Sequence, residues 1–561
     1  MSRVLIASTL LATLSLAGYG QAPSPWVRFT AFHYEGTDRV ANEHPLSRGE
    51  YLNPILAGMY PDPSITRAGG DFYLVNSTFA WYPGVPIFHS RDLTHWQQVG
   101  SVLDRPSQLN LSGLQTSQGV FAPTIRFHDG VFYMINTVVG GIGNFYVTAK
   151  DPSGPWSDPI LLPEINGIDP SFFFDDNGRA YIVHNGPPPD NQSLYEGHRA
   201  IWLFPFDTVT GRVSGKGTIL VNGGVDISKK PAWIEGPHLF KRNGFYYLIA
   251  AEGGTSVSHS EVVFRSRAVD GPYVPYEGNP ILTQRDLALD RTNPVADAGH
   301  ADLVEAPNGT WWAVFLGVRP YRDNQFNTGR ETFLLPVTWK DDWPVILPPG
   351  ESIPRVLKGS GLPVSPESAG LHGSFVWEDH FTEPTLRPEW ATLRTPVASC
   401  WKLAQHPGAL LLQAHTDDLT SHGSPCFIAR RQQHADFSAS IVLHLQAGSG
   451  RSEAGLTAFQ NEHSFYFFGV SNAPGKQPAI FVEVSSGGDK ALPTVLQRRT
   501  LARTTGSVEL RITGQGDTIS FFYRTGSGAW LPLVTNADAT ILSTARAGGF
   551  VGTMIGPFAR R

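Results

Sequence analysis

Five copies of one two-strand pattern run through the chain from residue 62 to residue 317 and fix what it can fold into. The second string of each copy is a Gly or Asp, then aromatics, then an apolar run. These strings are DFYLVNSTF (71–79), GVFYMINTV (130–138), GRAYIVHNG (178–186), GFYYLIAAE (244–252) and GTWWAVFLG (309–317). A first string precedes each: DPSI from Asp62, APTI from Ala122, DPSF from Asp169, EGPHLF from Glu235 and HADLV from His300. Eleven or twelve residues separate the start of each first string from a marker aromatic, Tyr73, Tyr133, Tyr181, Tyr247 and Trp312. A strand, a Gly-containing turn and a second strand explain each copy as a β-hairpin. Copies recur every 47 to 66 residues, room for four strands each, which is the blade of a β-propeller.

Register carries function in such a fold. Equivalent repeat positions occupy equivalent places around the axis, and the innermost strands line the channel. Position one reads Asp62, Ala122, Asp169, Glu235 and His300. Ionisable groups at one end of an apolar channel are costly unless they do chemistry.

The rest of the chain sets the frame. At 561 residues it exceeds one ordinary core. Frequent Gly and Pro with many aromatics favour an all-β class. The repeat stops near residue 350, a Gly/Ser/Pro-rich stretch follows, and short strands such as SFYFFGV (464–470) suggest a β-sandwich. We expect an all-β protein, a five-bladed β-propeller followed by a β-sandwich. Its parts are a signal peptide (1–22), an N-terminal extension (23–50), the propeller (51–355), a linker (356–374) and the sandwich (375–561). Arg3 followed by the apolar stretch Val4–Ala17 reads as an export signal too short to span a bilayer, so a secreted, extracellular protein is expected. The net charge of −6, without long runs of one sign, recommends neither nucleic acid nor an anionic membrane as partner. Cys400 and Cys426 are either a disulfide or two free thiols. Sequons begin at Asn76, Asn110, Asn191 and Asn308.

Three carboxylates converge on the axis, and no nucleophile elbow, phosphate loop or zinc motif competes. Acetal hydrolysis needs an acid for the leaving oxygen and a base or nucleophile opposite. A third carboxylate nearby must disturb a neighbour's pKa. Glu235, one methylene longer than the aspartates, has the reach of an acid. Each carboxylate taken singly could be a turn or capping residue. The shared repeat position argues against that for the three together.

The strings YPDPSI, STFAWYPGVPIFHSRDLTHW, GVFAPTIRFHDGVFYMI, GIDPSFFFDD, IEGPHLFKRNGFYYLIAAEGGT, GHADLVEAPNGTWW and GRETFLLPVTW resemble glycoside hydrolase family 43. The tail WEDHFTEPTLRPEWATLRTP with SPCFIARRQQH resembles the β-sandwich appended to that family's β-xylosidases and arabinofuranosidases. The resemblance implies an inverting, exo-acting hydrolase of xylosyl or arabinofuranosyl units. Asp62 then matches the general base, Asp169 the pKa modulator and Glu235 the general acid. Arg330 matches an arginine that contacts the sugar, and Phe79 a wall of its pocket. His300 matches a His that in relatives often helps hold a Ca²⁺ ion through water; the alternative for it is a hydrogen-bonded structural His. No cofactor is implied as required.

Many β-xylosidases of this type carry Trp where this chain has Phe121, and SLYEGHRAIW (193–202) looks more like relatives with arabinofuranosidase or mixed activity. Both tilt the expectation towards an α-L-arabinofuranosidase acting on plant cell-wall arabinoxylan, with a β-xylosidase acting on xylo-oligosaccharides as the alternative. A sugar-binding propeller would repeat its binding residues from blade to blade, whereas position one differs here. The C-terminal domain is expected to buttress the pocket rather than bind carbohydrate by itself.

Overall fold

The computed structural model describes residues 25–363, 372–396, 400–444, 452–488, 492–502 and 506–561. The signal-peptide segment 1–22 and linker residues 364–371 lie outside the described residues. Five antiparallel sheets of four or five strands form the propeller blades. The first runs outward through Ser64–Ala68, Asp71–Val75, Gly84–Ser90 and Gln97–Leu103. The inner strands of the others are Thr124–His128, Ile168–Phe174, Glu235–Arg242 and Ala296–Glu305. Each inner strand packs on the next, and the last returns to the first. The marker aromatics join blades: Tyr73 meets Phe132 of the second blade at 5.0 Å, and Tyr133 meets Phe174 of the third at 5.0 Å.

Two devices close the ring. At its seam, Glu50–Leu52 pairs with Val356–Lys358. The Asn53 carboxamide imitates a strand there, donating to the Leu334 carbonyl at 2.8 Å and accepting from the Leu334 amide at 2.9 Å. The second device lies on the axis. Arg126, from the second blade, chelates Asp302 of the fifth through Nη1 (2.8 Å) and Nη2 (3.2 Å). The same guanidinium reaches Ser64 Oγ of the first blade at 3.2 Å, Ser171 Oγ of the third at 3.4 Å and His238 Nδ1 of the fourth at 2.9 Å. One cation thus touches the inner strand of every other blade. Burial pushes the His238 imidazole down to about 3, so it stays neutral and accepts from the guanidinium. Burial alone would raise the Asp302 carboxyl, but the charge of Arg126 holds it below its usual value.

The C-terminal region is a sandwich of two eight-stranded sheets. Its first sheet contains Trp26–Thr37, flanked by Gly408–Gln413 and Asp436–His444. The segment 23–50, read from sequence as an extension, therefore supplies a strand to the sandwich and then crosses to the propeller. Its alternation is hard to see because it changes phase. Val27 and Phe29 are buried, a bulge follows with Ala31 at φ 51°, and Phe32 and Tyr34 are buried next. The second sheet takes an edge strand from the propeller, Trp81–Tyr82, which pairs with Ala391–Leu393. Cys400 and Cys426 form a disulfide with Cα atoms 5.7 Å apart. Asn76, the first sequon residue, is buried and donates to the Tyr60 and Pro61 carbonyls, so it presents no acceptor for a glycan.

Replacing Arg126 by Ala leaves the buried Asp302 carboxylate without its partner. The expected cost is about 3–5 kcal/mol, read as a lower urea midpoint with an unchanged m-value.

Candidate active site

Three of the position-one residues, two carboxylates and the His, need unusual backbone to point along the axis. Asp62 and Asp169 hold φ of 51° and 55°, and His300 holds 54°. Non-glycine residues rarely adopt this region. Register breaks bracket the same points: Ile168–Ser171 around Asp169, Glu235–His238 from Glu235, and Gly299–Asp302 around His300. A bulge re-aims side chains out of the ladder, here into the mouth of the channel. Gly236 is needed beside them. Its φ is 57°, and a Cβ there would lie 2.6 Å from His300 Nε2.

These side chains line one cavity of about 330 Å³. Asp62, Asp169, Glu235, His300 and Arg330 form its polar part, and Phe79, Phe121 and Phe550 one wall. Every site residue expected from sequence is therefore in this one cavity. Asp62 Oδ1 accepts from Arg330 Nη1 at 2.9 Å, and Oδ2 from Ser77 Oγ at 2.6 Å. His300 Nδ1 lies 3.6 Å from Asp62 Oδ1. Asp169 Oδ2 accepts from the Gly236 amide at 3.1 Å, which ties it to the residue after Glu235. Arg330 also donates to Thr255 Oγ1 at 3.1 Å, and its guanidinium carbon lies 5.6 Å from the ring centres of both Phe79 and Phe550.

Environment separates the carboxyls. Burial acts on all three. At Asp62 it is outweighed by the charge of Arg330, then His300, so this carboxyl stays below its ordinary value. At Glu235 burial is reinforced by the negative charges of Asp169 and Asp62, and the carboxyl rises to about 8. Asp169 is also raised, by burial first, with His300 opposing and Asp62 adding. One ionised carboxylate and one protonated carboxylic acid in the same small cavity at neutral pH are the two partners that acetal hydrolysis needs.

Phe550 was not legible in the sequence. It comes from the sandwich, stacks on Phe79 (6.0 Å, 20°) and meets Phe121 edge-on (5.8 Å, 75°). Its backbone accepts from Arg330 Nη2 at 3.4 Å and donates to Ser117 Oγ at 3.0 Å. Nearby, backbone meets backbone: a Cβ on Gly329 would lie 2.8 Å from Gly552 Cα. Thr255 and Trp233 also line the cavity and fall outside the repeat register.

The residues present do not fit an axial Ca²⁺ ion beside His300. Asp62 is engaged by Arg330 and Ser77, and the level of the axis that carries Ser64, Ser171, His238 and Asp302 is filled by the Arg126 cation. Among the described residues no group of three or more His, Cys, Asp or Glu side chains is disposed to hold a metal.

The profile described as glycosyl hydrolases family 43 matches residues 51–344, and that of the beta xylosidase C-terminal concanavalin A-like domain matches residues 378–561. A xylosidase/arabinosidase of Butyrivibrio fibrisolvens is 38% identical over 509 residues, covering 90% of this chain and 95% of that protein. A non-reducing end alpha-L-arabinofuranosidase of Bacteroides ovatus is 37% identical over 524 residues, 92% of each chain. Among solved structures, a GH43_12 protein from a capybara gut metagenome superposes with a TM-score of 0.89 at 38% identity, covering 96% of this chain and all of the other.

Two pH effects follow from these shifts. The kcat/KM profile should be bell-shaped, with its alkaline limb near the Glu235 value of about 8 and its acid limb below the ordinary carboxylate range. The folded Glu235 pKa lies above the unfolded value of about 4.3. The folded state therefore retains a proton that the unfolded state releases, and stability falls as pH rises through that window. Glu235→Gln, neutral in both states, should melt higher than wild type at pH 7 in a thermal scan.

Proposed function

The chain belongs to glycoside hydrolase family 43 and is a glycosidase, and from that premise we propose that it releases terminal α-L-arabinofuranosyl residues from arabinoxylan or a related hemicellulose, exo-acting and with inversion. The observation that carries the reading is the opposite displacement of two carboxyls in one cavity, Asp62 held low and Glu235 raised to about 8.

Asp62, ionised, takes a proton from the attacking water. Glu235, protonated, gives its proton to the leaving oxygen. The water attacks the anomeric carbon from the face opposite the leaving group, the glycosidic C–O bond breaks, and the anomeric configuration inverts. Asp169 is a positioning residue. It holds the Gly236 amide and its negative charge keeps the Glu235 proton in place. Arg330 orients Asp62 and faces the sugar, with Phe79, Phe121 and Phe550 as its apolar wall. A small cavity walled by three aromatics, with the filled axis beneath, supports removal of one terminal unit at a time. The relatives' names support both arabinofuranosidase and xylosidase activity, so the β-D-xylosyl reading stands second. The leader Val4–Ala17 supports export to such a substrate, which predicts a mature N terminus near residue 23 in culture medium.

Parallel assays on aryl α-L-arabinofuranoside and aryl β-D-xyloside decide the sugar. A larger kcat/KM on the xyloside would put the xylosyl reading first. Proton NMR of the first product should show the anomer opposite to the substrate's, whereas the substrate's own configuration would remove the base role from Asp62. Glu235→Gln should lose about 10²–10⁴-fold on a natural sugar leaving group and far less on an activated nitrophenyl group.

A further inference from the structure

Trp233 is the one tryptophan among the described residues that is exposed, at 42%, and it lines the same cavity as the three carboxylates. Its backbone is left-handed, with φ 51°, an arrangement costly for a bulky residue. The segment around it is pinned. The Ala232 carbonyl accepts from the Gly253 amide at 2.9 Å, and the Trp233 amide donates to the Gly197 carbonyl at 2.9 Å. The Ile234 carbonyl accepts from Asn185 Nδ2 at 2.7 Å, and Glu235 enters the fourth blade opposite Ala251. The Oδ1 of the same Asn185 accepts from Arg199 Nε and Nη2 at 2.9 and 2.6 Å, and the Arg199 guanidinium carbon lies 5.1 Å from the centre of the Trp233 ring. An exposed indole is thus held rigidly, backed by a cation, two residues before the acid.

We propose that Trp233 is the platform for the sugar ring on the leaving-group side of the scissile bond, with Arg199 and Asn185 as its positioning residues. The inference rests on the assignment of Glu235 as the acid. That residue must touch the leaving oxygen, so the rim beside it faces the aglycone, while Phe79, Phe121 and Phe550 wall the terminal sugar. The ligand class follows from the surface. A flat, rigid, apolar ring binds the C–H face of a pyranose, here a xylosyl unit of the main chain, and loses little conformational entropy in doing so. The polymer would then approach over the third and fourth blades, opposite the sandwich.

The test compares two substrates in each protein: an arabinosylated xylo-oligosaccharide, whose aglycone reaches the indole, and methyl α-L-arabinofuranoside, whose aglycone does not. Xylobiose and methyl β-D-xyloside serve as a second pair. Trp233→Ala should reduce the ratio of kcat/KM values, oligosaccharide over methyl glycoside, by about tenfold, mainly through KM. Trp233→Tyr, which keeps a ring, should recover most of the ratio. An equal loss on both members of a pair would mean that Trp233 serves only to place Glu235, and the platform would be abandoned. An unchanged ratio would abandon it as well. Failure of wild type on both pairs would count against the proposed function instead.

Discussion

The Arg126 guanidinium on the propeller axis is the contact on which the site depends. It comes from the second blade and bonds to groups on the inner strands of the first, third, fourth and fifth. Those partners are Ser64, Ser171, His238 and Asp302, two or three residues beyond Asp62, Asp169, Glu235 and His300 in the repeat. The level of the channel that bears the catalytic groups therefore rests on a level cross-linked by one cation. Asp302, fully buried, is tolerable there only because its charge is matched. The arrangement also fills the channel with protein charge.

Above that layer the fold holds Asp62, Asp169 and His300 in left-handed backbone and interrupts the ladder at Asp169, Glu235 and His300. Side chains in a regular strand would alternate between the faces of their blade. The bulges turn them into the channel mouth instead. The strain is sustained because the neighbouring amides are held: Gly236 donates to Asp169, and the buried Glu261 carboxyl accepts from the Ala301 amide next to His300 at 2.9 Å. Crowding the carboxyls then sets their protonation. Burial and mutual repulsion raise Glu235, and Arg330, followed by His300 and the Ser77 hydrogen bond, keeps Asp62 ionised.

The sandwich is part of the site rather than an attachment to it. It lends Phe550 to the pocket wall and anchors the loop of Phe79 by pairing Ala391–Leu393 with Trp81–Tyr82. Among the described residues the chain first contributes Trp26–Thr37 to the sandwich, then crosses to build the propeller and returns. Separating the two bodies would expose the aromatic cluster of Phe79, Trp81, Phe427 and Phe459.

The sequence by itself determined the blades, because a fivefold in-register pattern of turn glycines and interleaved aromatics leaves little else for those residues to form. It also determined which carboxylates meet, since equal repeat positions share the axis. Asp62, Asp169, Glu235 and His300 were legible for that reason, and Phe79, Phe121 and Arg330 through the family motifs. The tertiary structure alone decided the rest. Trp26–Thr37 joins the sandwich through a bulged strand whose alternation changes phase, so its pattern hides its partners. Phe550 and Trp233 enter the pocket by contacts between distant loops, and no local pattern records those. The pKa separation of Asp62 and Glu235 likewise depends on where Arg330, Asp169 and the surrounding apolar walls end up in space. Sequence lists these charges, but burial and distance set their effect.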